Sequence, residues 1–104
     1  MENSGVQLTL SSPELKIVQD ILKKYIPNKT VYAFGSRVCG KVKEFSDLDL
    51  VIIDQELLDV SIYVALKNAF DDSNLSIKVD IVEWVNLTQS FKDIILKCYF
   101  IMQN

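Results

Sequence analysis

The sequence predicts a small α/β (α+β) domain, a mixed sheet with helices packed against it. Three observations carry this. Short β-branched and aromatic runs alternate with amphipathic stretches of helical period. A Gly-Ser pair, Gly35-Ser36, closes one apolar run. After ten further residues an Asp-x-Asp, Asp47-Leu48-Asp49, opens another.

The 104 residues suit one domain, 1–104, with about the first ten loosely held. Ser11-Ser12-Pro13-Glu14 reads as a helix start, with capping-box spacing between Ser11 and Glu14 and proline in the first turn. Leu15, Val18, Leu22 and Tyr25 follow at helical spacing, widened by Ile17 and Ile21, and Pro27-Asn28 ends the helix near Ile26. Thr30 to Phe34 is a strand stopped by Gly35. Ser36 to Gly40 forms a short helix and Lys41 to Ser46 a solvated loop. Asp47 to Ile53 is the second strand. Gln55 to Phe70 is a second amphipathic helix, with Leu57, Leu58, Ile62, Ala65, Leu66 and Ala69 on one side, and Asp71 to Asn74 is a turn. Ser76 to Trp84 is a third strand interrupted by Asp80. Thr88 or Ser90 caps a last helix through Leu96, and Cys98 to Met102 is a closing strand. The order is α-β-(short α)-β-α-β-α-β. The length of the 41–46 loop leaves strand direction open.

Composition narrows the function. Apolar residues make up 49% of the chain, which is rich for a domain of this size and hints at a covered surface. Fourteen acidic residues outnumber eleven basic ones, and no basic run occurs, so direct nucleic-acid binding is not expected. No signal-like start and no apolar stretch near membrane-spanning length appear. Cys39 and Cys98 lack metal-ligand spacing, so the expectation is a cytoplasmic protein with reduced thiols. The chain has no histidine, which excludes histidine-based catalysis.

Alternation along a strand puts Asp47 and Asp49 on one face, with Cα atoms about 6–7 Å apart. At that separation two carboxylates repel by roughly 2–3 kcal/mol at an effective dielectric near 20. A divalent cation removes that cost, and clustered oxygens are what Mg²⁺ takes. Asp80 lies within Ile77-Lys78-Val79-Asp80-Ile81-Val82, where an unpartnered charge is costly to bury. If its strand neighbours the 47–53 strand, the three carboxylates converge as in two-metal phosphoryl transfer. Gly35 lets a phosphate approach the backbone, Ser36 offers a hydroxyl, and Arg37 adds a forked cation. The pattern is neither a Walker loop, since no Gly-Lys-Ser/Thr follows, nor a dinucleotide fingerprint, since the glycines are too sparse.

Gly35-Ser36, Asp47-x-Asp49 and the later Val79-Asp80-Ile81-Val82 together resemble the DNA polymerase β-type nucleotidyltransferase superfamily. The Phe34-Gly35-Ser36-Arg37 start, the Ser46-Asp47-Leu48-Asp49-Leu50 block and the small size resemble its minimal members. That resemblance implies a small mixed sheet and a Mg²⁺-dependent transfer of AMP from ATP, with two ions held by Asp47, Asp49 and Asp80. It implies nucleotide binding by Gly35, Ser36 and Arg37. It further implies a helical HEPN-domain partner in a hetero-oligomer, an RNase toxin whose tyrosine receives the AMP. Cys39 departs from the pattern, standing where a second arginine is common. Two alternatives stay open at this point, a small-molecule acceptor and a module that neutralises its partner by contact alone.

Overall fold

A computed structural model of the protein describes residues 8–39 and 47–104. The solvated loop expected at 41–46, the end of the short helix at Gly40 and most of the loosely held start lie outside the described residues.

Helix α1 (Ser12–Tyr25) begins as the sequence requires. The Ser11 hydroxyl accepts from the Glu14 N–H, and Glu14 Oε1 accepts in turn from the Ser11 N–H, 3.1 Å away. That reciprocal pair satisfies two donors with no helical partner. The Ser11 backbone, then the Ser11 hydroxyl, holds the Glu14 carboxyl below its ordinary value. Val18 and Leu22 are fully buried on the inner face.

Strand β1 (Thr30–Phe34) leads through Gly35 into α2 (Ser36–Cys39), one turn long. β2 (Leu48–Ile53) pairs antiparallel with β1, matching Thr30 to Ile53 and Phe34 to Asp49. β3 (Val79–Glu83) pairs parallel with β2. β4 (Phe100–Gln103) pairs antiparallel with the other edge of β1, giving the order β3-β2-β1-β4 in a mixed sheet. The third strand is shorter than expected at both ends, beginning only at Val79 and giving way at Trp84 to a 3₁₀ segment over Trp84–Asn86.

The two faces of the sheet differ. Leu48, Leu50, Ile52, Val79 and Ile81 point into the main core beneath α1 and α3 (Val60–Asp71). Phe34, Val51 and Ile95 form a second cluster on the opposite face, under α4 (Gln89–Lys97).

α3 departs from expectation in its start and its buried face. It begins at Val60, because Asp59 caps it through the Ser61 N–H at 2.8 Å. The preceding residues are held out of the helix instead, the Leu58 N–H donating to Glu83 Oε1 at 2.7 Å and the Glu56 N–H to Asp54 Oδ1. Its buried residues are Leu66 and Phe70, while Leu57 and Ile62 are exposed. α4 is capped by Thr88, the first of the two expected candidates. Cys98, at the end of α4, is disulfide-bonded, so the expectation of reduced thiols does not hold and the cytoplasmic reading loses that support.

Candidate active site

The site forms where β1 ends and β2 and β3 begin. The Leu48 N–H donates to the Lys78 carbonyl at 2.9 Å and brings the first residues of β2 against β3. From there Asp49 stands beside Asp80 in the parallel register. Since Leu48, Leu50, Val79 and Ile81 point into the main core, alternation turns Asp49 and Asp80 to the α4 face, and Asp47, just before the strand, follows the same alternation. The sequence condition for convergence, adjacency of these two strands, is therefore met.

The carboxylates feel one another. Burial first, then the charge of Asp80 and that of Asp47, hold the Asp49 carboxyl above the ordinary carboxylate range. Lys78 Nζ lies 3.8 Å from Asp80 Oδ1, a cation the sequence reading did not single out. Among the described residues no three acidic side chains are drawn into a closed chelate. Of the three carboxylates expected to converge, the strands place Asp49 beside Asp80, and such a pair can hold Mg²⁺ together with substrate phosphate oxygens. The donor chemistry fits such an ion.

Gly35 is required twice over. Its φ is +84°, a left-handed conformation that costs any other residue. A Cβ there would stand 2.4 Å from Asp49 Oδ2. The turn and the carboxylate are thus in direct contact.

Arg37, expected to assist the nucleotide, is tied to the segment before α1. It is buried, and one guanidinium nitrogen donates to the Thr9 carbonyl at 2.8 Å, while the Thr9 N–H donates to the Arg37 carbonyl at 2.8 Å. Its side chain lines a polar recess with Leu8, Ser11 and Glu14. The guanidinium is thereby turned toward the segment before α1, which it ties to α2. No sequence signal marks that contact, because the two strands of the tie are 28 residues apart.

An aromatic wall also escaped the sequence reading. Phe34 is the cross-strand partner of Asp49, so the two side chains share a face. Phe91 of α4 meets the Phe34 ring edge-on, with centroids 5.9 Å apart.

A Gly-Ser turn pressed against paired carboxylates on a small mixed sheet defines a nucleotidyltransferase. Residues 16–102 match the polymerase β nucleotidyltransferase family, and the chain belongs to it. Its relatives include the "Probable protein adenylyltransferase MntA" of Haemophilus influenzae, 47% identical over 100 residues, which span 96% of this chain and 88% of that protein. Two solved structures share the fold. One is a toxin–antitoxin crystal structure with AMP-PNP, with a TM-score of 0.71 and 20% identity, covering 86% of this chain and 73% of that one. The other is a tri-AMPylated Shewanella oneidensis HEPN toxin in complex with its MNT antitoxin, with a TM-score of 0.59 and 17% identity, covering 86% and 72%. Among the described residues no helix is long and apolar enough to cross a membrane.

Proposed function

We propose that this nucleotidyltransferase moves AMP from ATP to a tyrosine hydroxyl of a HEPN-type toxin, and so acts as the antitoxin of the pair. The observation that carries the chemistry is the Asp49–Asp80 register, with Gly35 lying against Asp49. The name of the Haemophilus relative and the AMPylated toxin in the Shewanella complex support the protein acceptor.

Asp47 and Asp49 would hold magnesium, with Asp80 completing the set. Bound there, two ions would lower the pKa of the attacking hydroxyl and neutralise charge on the leaving oxygens. The missing Cβ at Gly35 lets the triphosphate approach, and Ser36 offers its hydroxyl to a phosphate oxygen. The tyrosine oxygen forms a bond to the α-phosphorus as the bond from that phosphorus to the pyrophosphate oxygen breaks. Asp80, on the outer strand, orients the nucleophile and takes up its proton. Pyrophosphate leaves with the charge. Arg37 contributes by anchoring α2, on which Ser36 sits, to the segment at Thr9.

The test is intact-mass spectrometry of a HEPN-domain partner after incubation with this protein, ATP and Mg²⁺. Added AMP units localised to tyrosine are expected. An unmodified partner, with AMP appearing on a small molecule, would replace the protein-acceptor reading.

A further inference from the structure

The aromatic wall beside Asp49 has no part in the chemistry above. Phe34 is nearly buried, whereas Phe91, in the first turn of α4, is 40% exposed, and Ile94 on the same helix is 64% exposed. An apolar strip therefore runs outward from the carboxylate along α4. Phe91 lies outside the cluster that Phe34, Val51 and Ile95 form.

The sheet order says what meets the strip. Asp49 lies on β2, with β3 and Asp80 on one side and β1, Gly35 and Phe34 on the other. On the mechanism proposed above, the nucleophile comes to Asp80 and the triphosphate to Gly35, on opposite sides of Asp49. A flat ring that reaches Phe91 therefore belongs to the nucleotide.

We infer that Phe91, backed edge-on by Phe34, is the platform on which the purine base of the nucleotide packs. This rests on the nucleotidyltransferase reading given above and adds the base subsite to it. Stacking of this kind reads ring size and not the polar edge of the base. Phe91 therefore favours purine over pyrimidine nucleotides and separates adenine from guanine little.

The experiment is calorimetric binding of an α,β-methylene ATP analogue, which cannot release pyrophosphate, with Mg²⁺ and no acceptor. A ribose 5′-triphosphate carrying the same methylene bridge but no base is the paired probe. Phe91→Ala is expected to weaken the ATP analogue about tenfold, within the range that alanine substitution of stacking residues gives, and to leave the base-free probe unchanged. Phe91→Trp should retain affinity. Phe91→Leu, which keeps apolar packing against Phe34 without a flat face, should behave like the alanine variant while matching wild-type circular dichroism. Equal loss for both probes, or no loss for either, would overturn the base platform. So would an unchanged ATP-analogue affinity with a raised KM for the acceptor, which would give the ring to the tyrosine side. Wild-type protein that binds neither probe would instead sink the nucleotidyltransferase reading itself.

Discussion

Replacing Gly35 with alanine should damage the fold and the chemistry through separable causes. The φ of +84° costs an alanine about 1–2 kcal/mol. The new Cβ would also stand 2.4 Å from Asp49 Oδ2 and 3.3 Å from its carboxyl carbon. The carboxylate, at the far end of its side chain, must swing away, at about 0.5–1.5 kcal/mol for a displaced rotamer. Together the loss is roughly 1.5–3.5 kcal/mol, a large fraction of the stability of a domain this size. An Asp49→Ala background removes both close atoms and leaves Asp49 Cβ at 3.6 Å, an ordinary contact. There, Gly35→Ala should cost only the backbone share, about 1–2 kcal/mol. Urea unfolding of wild type, the two single variants and the double variant measures the coupling directly. Transfer of labelled AMP by Gly35→Ala alone should fall steeply, because Asp49 loses its position. An equal cost of Gly35→Ala in both backgrounds, or full AMP transfer by the single variant, would refute the claim that Gly35 and Asp49 are fitted to each other.

Other outcomes follow from the same structure. Asp49→Asn should abolish AMP transfer yet raise stability at neutral pH, because the raised pKa means that ionised Asp49 destabilises the fold; the gain over wild type should shrink as pH falls through that raised pKa, read by urea midpoints. Ser11→Ala should cost about 1 kcal/mol of stability. The depressed Glu14 pKa has the opposite sign, so the stability it contributes is full above its ordinary value near 4.5 and is lost as pH falls below it through the folded pKa, and Ser11→Ala should flatten that acid limb in a thermal-melt series. Arg37→Ala strips the Thr9 carbonyl of its donor and should cost about 1–3 kcal/mol, with faster amide exchange at Thr9 and Leu10, and Arg37→Lys should restore only part of it.

What the sequence makes legible follows from the range of each interaction. The α1 start is local, since Ser11 and Glu14 are three residues apart and their side chains declare the cap. Gly35 reads correctly because a glycine that ends a β-branched run before a helix start has few other uses. Asp80 stands out as a charge in an apolar strand, but its place beside Asp49 depends on a parallel pairing that no local pattern encodes. The start of α3 misleads because Leu57 and Leu58 continue the helical period, while Asp54, Asp59 and a distant Glu83 hold that segment out of the helix. Arg37 illustrates the limit most sharply, because a guanidinium beside a Gly-Ser turn suggests a phosphate, and no local pattern announces its tertiary contact with Thr9. The Phe34–Phe91 wall joins residues on β1 and α4, and periodicity shows each as core alone.

The most direct test of the central claim is AMP transfer to the HEPN-domain partner by wild type and by Asp49→Asn, followed by intact mass and peptide mapping. The account predicts AMP on a tyrosine of the partner with wild type, ATP and Mg²⁺, and none with the variant, which folds at least as stably. Undiminished modification by Asp49→Asn would contradict it.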